Sequence, residues 1–175
     1  MDYRVFRRAH DPDRRMSEIE RNRADDEAMT TVRIDSRRFG TIEVEESSLF
    51  EFADGLLGLE ESTRSLVLVE QEDTPYYWLH SATDPDVAFV VTDPWAFWPD
   101  YDIVIPDEVE EELGLAGPED VGVMVLVSVR PAADGGSPTV PANLLGPLVV
   151  SSSTRRGRQL VLDNARYSAR QRIGA

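Results

Sequence analysis

The chain of 175 residues contains no cysteine and no lysine. The first absence excludes disulfides, thiolate zinc sites and a cysteine nucleophile. The second excludes a phosphate-loop lysine, a Schiff base and a lysine general base. All 18 basic side chains are therefore arginine, a flat donor that stays charged. Histidine is scarce, with only His10 and His80, and the GxGxxG, HExxH and GxSxG patterns are missing. No apolar run approaches the ~20 residues that span a bilayer, and the first thirty residues show no signal-peptide pattern. These absences predict a cytoplasmic protein without membrane association, resident metal or cofactor.

Charge is present in excess and unevenly placed. The formal net charge is −15. Residues 1–30 carry 7 arginines against 8 acids, residues 31–150 carry 5 against 24, and residues 151–175 carry 6 against Asp163 alone. A body this acidic repels phosphate backbones, so direct nucleic-acid binding is not expected; solubility or a basic partner accounts for it. The only basic cluster, "TRRGRQ", reads as an exposed turn.

Residues 1–30 mix both signs of charge with no apolar period beyond a weak helical pattern from Ser17 to Ala28, and read as a disordered arm. Such an arm is expected to be dispensable for folding and binding, because it buries too little apolar surface to offset its ordering entropy. From Met29 the pattern alternates. "FGTIEVE" places Ile42 and Val44 on one face, and "SLFEFA" does the same with Phe50 and Phe52. "SLVLVE", "YYWLHS", "VAFVVT", "NLLGPLVVSS" and "RQLVLD" continue the series. "VGVMVLVSV" is apolar on both faces, the mark of a strand covered on both sides. A helix is expected over Asp107–Leu115, with Asp107 as N-cap, Glu110 three residues on and Gly114 as terminator. The prediction is a mainly β single domain, an antiparallel barrel-like fold or sandwich with one short helix, over residues 31–170. Residues 171–175 are expected to be a short tail.

Chemistry has few places to reside. The stretch "YYWLHSATDPDVAFVVTDPWAFWPDY", from Tyr76 to Tyr101, holds all three tryptophans, three of five tyrosines and His80. Adjacent strand residues His80 and Ser81 face opposite ways, so they form no dyad. Asp84 and Asp86 suit turn geometry, and Asp93, Asp100 and Asp102 are weighed as hard-metal ligands against turn-making, with turn-making favoured. Alternation sends Trp78 and His80 one way and Tyr77 and Leu79 the other. One set fills the core; the other, with Trp95, Phe97, Trp98 and Tyr101, is either further core or a set of docking anchors.

The strings "FEFADGLLGLEESTRSLVLVE", "PYYWLHSATDPDVAFVVTDPWAFWPDYDIVIPDE", "VMVLVSV", "ANLLGPLVV" and "GRQLVLDNARYSAR" resemble the FliW family of flagellar assembly factors in order and spacing, from about Val32 to Arg170. His80 stands where that family usually has glutamine, and the arm has no counterpart, which makes Met29 a candidate start. The resemblance implies a non-enzymatic protein, monomeric when free, that binds flagellin and alternatively the translational regulator CsrA, coupling flagellin export to flagellin translation. Trp78, His80, Tyr101, Asn143 and Leu144 are the candidate partner-binding residues. The competing readings are a secretion chaperone for flagellin alone and a small β-barrel enzyme using His80.

Overall fold

Phe50 and Phe52 point inward from β4 (Phe50–Phe52) while Glu51 between them is exposed, and this alternation starts a barrel wall. The computed structural model describes residues 3–6, 30–132 and 135–174. In it, β4 pairs with β5 (Ser65–Glu70), β5 with β6 (Tyr76–Ser81), β6 with β7 (Ala88–Thr92) and β7 with β9 (Val121–Val127), all antiparallel. β9 then pairs with β11 (Leu148–Ser151), and β11 with β12 (Arg156–Gln159). β12 returns to β4 in parallel, which closes a seven-stranded barrel. The closure needs a glycine: a Cβ at Gly157 would lie 2.4 Å from Cζ of Phe52.

Two apolar layers share β9. Inside the barrel, Phe50, Phe52, Leu66, Leu68, Tyr77, Leu79, Val91, Met124, Leu148 and Val150 pack together. Outside it, Val121, Val123, Val125 and Val127 of the opposite parity meet Trp95, Tyr101, Ile103, Ile105, Val109 and Leu113. The two-sided apolarity of "VGVMVLVSV" is thus used in full. Burying each such aliphatic side chain contributes about 1.5–3 kcal/mol.

The outer layer is held by β8 (Ile103–Pro106) and α1 (Asp107–Leu113). Asp107 is the first helical residue and not the N-cap; Pro106 takes that position without a side-chain cap. Asp107, Glu108 and Glu110 in the first turn offset this by meeting the positive end of the helix dipole. Gly114 ends α1 with φ of 65°, the left-handed conformation expected of it, and the helix stops at Leu113.

Asp120 ties this cap to the barrel. Its carboxylate accepts hydrogen bonds from the hydroxyls of Ser151, Ser152 and Ser153 and from the amides of Ala116 and Ser153, at 2.7 to 3.1 Å. Burial alone would raise its pKa, but these donors reverse that and hold it down to about 2.

Three differences from the sequence reading concern edges. β2 (Thr31–Ser36) and β3 (Gly40–Glu45) form a hairpin outside the barrel sheet. Gln171–Arg172, expected in a tail, form β13 and pair with β10 (Pro141–Ala142), which extends the sheet beyond β9. Tyr3–Phe6, expected in a disordered arm, form β1 and pair antiparallel with β8. An unpaired strand offers a row of backbone donors and acceptors, and such edges order chain that composition alone would leave loose. The rest of the arm, including the helical pattern from Ser17, lies outside the described residues. Among the described residues no helix is long and apolar enough to cross a membrane.

Candidate partner-binding surface

The period of two in β6 turns Tyr77 and Leu79 into the barrel and leaves Tyr76, Trp78 and His80 on its outer wall. A row of rings follows that wall. Tyr76 stacks on Phe97 with centroids 5.9 Å apart, and Phe97 meets Trp98 at 5.8 Å. Along the same strand, Trp78 receives Phe39 edge-on at 5.8 Å, and Phe39 sits 6.4 Å from the His80 ring. Tyr76, Trp78, Phe97 and Trp98 are half-buried, and Phe39 is 41% exposed.

Local sequence builds both ends of the row. At one end Asp93 accepts the Trp95 amide at 2.8 Å and, with Pro94, starts a single 3-10 turn, Pro94–Ala96. That turn sends Trp95 inward, where its indole donates to the Tyr101 carbonyl at 2.8 Å, and leaves Phe97 and Trp98 half-buried. At the other end the turn of the β2–β3 hairpin lies on β6. Arg37 pairs with Asp86 at 2.7 Å and its amide donates to the Pro85 carbonyl, while the Arg38 guanidinium stands 4.2 Å over Trp78. The cation–π contact and the ring edge shield Trp78 without covering it. Exposed Glu72, Asp73 and Asp100 are near neighbours in sequence of the row's rings.

The five residues singled out from sequence fall in two places. Trp78 and His80 belong to the row. Tyr101 and Leu144 are buried together in the outer core, 2% and 1% exposed, with the Tyr101 hydroxyl donating to the Leu144 carbonyl at 2.8 Å. They therefore position other groups and offer no free surface. Burial, helped by Tyr167 and Asp102 nearby, pushes the Tyr101 hydroxyl well above its ordinary pKa and keeps it a donor. Asn143 is half-buried and accepts the amides of Leu145 and Gly146, a turn-forming role. His80 is fully buried beneath Phe39. Its Nδ1 lies 2.6 Å from the Ser81 carbonyl, which only accepts, so that nitrogen carries the proton; Nε2 has no hydrogen-bond partner among the described residues.

Among the described residues, the hydroxyl beside His80 is already committed to structural bonds. The Ser81 hydroxyl donates to the Ser62 carbonyl and accepts the amides of Thr83 and Asp84, which makes it a turn brace. Asp93 is occupied as the turn cap, and Asp102 accepts from Tyr167 and pairs with Arg166 at 3.4 Å. The described residues contain no group of three or more metal-type ligands. Phe39 and Arg38 were not singled out from sequence, although an aromatic beside arginines in a hairpin turn, before Gly40 at φ 74°, is an exposed ring by position.

Residues 33–173 match the family model described as FliW protein. The chain is 34% identical over 136 residues to the flagellar assembly factor FliW of Moorella thermoacetica, covering 78% of this chain and 84% of that one. It is 36% identical over 138 residues to that of Magnetococcus marinus, with 79% and 82% covered. A crystal structure of the flagellar assembly factor FliW superposes with a TM-score of 0.71 at 30% identity, over 82% of this chain and 98% of its own. On the strength of these matches across most of its length, the chain belongs to the FliW family of flagellar assembly factors.

Proposed function

We propose that this flagellar assembly factor is a cytoplasmic partner switch, monomeric when free, that binds flagellin and alternatively the translational regulator CsrA. A flagellar assembly factor is not an enzyme class, which supports a non-enzymatic reading. The observation that carries the reading is the row Phe39, Trp78, Tyr76, Phe97 and Trp98 on the outer barrel wall. Half-buried rings held by their neighbours lose little entropy on docking and suit the apolar face of a helix. In the export cycle, free flagellin occupies the protein. Export of flagellin releases it to capture the regulator and relieve repression of flagellin synthesis.

The acidic body supports the second partner. Residues 31–150 hold 24 acids against 5 arginines, a field that draws in a basic RNA-binding protein. Attraction of this kind acts over the Debye length, which falls from about 30 Å at 0.01 M salt to about 8 Å at 0.15 M. Capture of CsrA is therefore expected to weaken with salt more steeply than capture of flagellin. The test titrates flagellin into a preformed complex with CsrA at both salt concentrations. Displacement, with the steeper salt slope for CsrA, is the expected result. A ternary complex without displacement, with equal slopes, overturns the switch. Flagellin binding with no CsrA complex at any salt leaves a chaperone for flagellin alone.

A further inference from the structure

We infer that β8 is a strand-addition site for a short, extended, basic-apolar segment of a protein partner, and that residues 3–6 of this chain occupy it in cis. Among the described residues β8 has one strand partner, β1. The register runs Tyr3 to Pro106, Arg4 to Ile105, Val5 to Val104 and Phe6 to Ile103. Ile103 and Ile105 are buried in the outer core, so β8 is anchored independently of whatever lies along its edge. Val104 between them remains 36% exposed.

The edge and its occupant have different provenance. The family match begins at residue 33, so β8 lies inside the shared fold and β1 outside it. Residues 1–32 lie ahead of that match, so the segment paired to β8 is not part of what the family model describes. A strand edge whose partner comes from outside the shared fold is a template for an incoming strand, and main-chain hydrogen bonds supply much of the affinity in such docking. The chemistry of the incoming segment follows from the surroundings. Exposed Asp100, Asp107 and Glu108 flank the strand in sequence and favour arginine or lysine, and the segment that β8 already holds reads Tyr-Arg-Val-Phe. A tethered strand acts at an effective concentration on the order of mM, so an outside segment of micromolar affinity must displace it. The start of the arm is then a gate on binding, which revises the expectation that the arm is dispensable.

The test needs neither flagellin nor CsrA, so its failure is distinguishable from failure of the switch reading. Val5→Pro in the full chain removes a backbone donor and fixes φ, which a paired strand tolerates poorly. Two readouts are compared with the unsubstituted chain: hydrogen exchange at the amides of Ile103, Val104 and Ile105, and binding of a labelled peptide with the sequence of residues 1–9. The expected result is at least tenfold faster exchange at protected β8 amides in V5P, and at least tenfold tighter peptide binding to V5P. A peptide with its three arginines changed to aspartate is expected to lose that binding. Unchanged exchange, or peptide binding that is equal or absent in both proteins, overturns the proposal.

Discussion

Over β9 the outer wall of the barrel is covered; over β6 it is half open. Both regions draw their rings from the same stretch, residues 76–101. Trp95 and Tyr101 are 3% and 2% exposed, joined by an indole-to-carbonyl bond and packed under β8 and α1. Tyr76, Trp78, Phe97 and Trp98 touch other rings as closely, yet keep accessible faces. Aromatic composition therefore does not separate core from accessible surface. What separates them is whether a second element with its own apolar face lies on top. Ile103, Ile105, Val109 and Leu113 provide one over β9, whereas among the described residues β6 meets the hairpin turn with Arg38 and Phe39 at one end and the Phe97 ring stacked on Tyr76 at the other.

Three experiments break or sharpen this contrast. The largest expected effect is in the covered region. Trp95→Ala removes a buried ring and leaves the Tyr101 carbonyl without its donor, and is expected to destabilise the fold by about 3–5 kcal/mol in chemical denaturation. A loss below about 1 kcal/mol would mean that the cap over β9 is not a cooperative part of the fold.

Next comes the clasp that fastens the cap. The folded pKa of Asp120 is depressed from 3.8 to about 2, so its contribution is fully present above pH 3.8 and is lost as pH falls towards 2. Each tenfold gain in acidity corresponds to ~1.4 kcal/mol, which makes the clasp worth roughly 2 kcal/mol. Stability measured from pH 5 to 2 in the native protein and in Asp120→Asn is expected to show the wild type losing that amount more than the variant. Parallel curves would place the acid sensitivity elsewhere.

The smallest stability effect is expected in the open row. Tyr76→Ala should cost about 1 kcal/mol of stability, as a half-buried side chain, while flagellin affinity falls at least tenfold. Equal losses in stability and binding would make Tyr76 a packing residue, and no loss of binding would move the docking surface off this wall.

Six of the seven barrel strands were legible because each carries its own evidence; β12 was not, since Arg156–Gln159 falls largely in the stretch read as a turn and has no apolar alternation. Phe50 and Phe52 flanking Glu51, or valines at 121, 123, 125 and 127, report a buried face through a period of two that local chain geometry imposes. The end of α1 was legible for the same local reason, since Gly114 tolerates a left-handed backbone. Which rings keep an accessible face was not. Tyr101 and Leu144 are joined across 43 residues by a hydroxyl-to-carbonyl bond, and no local pattern announces that contact. His80 looked available on an outer face until the hairpin turn closed over it with Phe39.

By itself the sequence determined the exclusion of cysteine and lysine chemistry, the acidity of the body, the mainly β alternation and the resemblance to FliW. Those properties belong to residues or to their nearest neighbours along the chain. Tertiary structure alone decided that the barrel closes through the parallel pairing of β12 with β4. It likewise decided that Trp95 is core while Trp98 is half open, and that Tyr3–Phe6 become a strand on β8. Each of these depends on which distant segment arrives to cover a face or an edge, and burial and backbone pairing are set by that arrival.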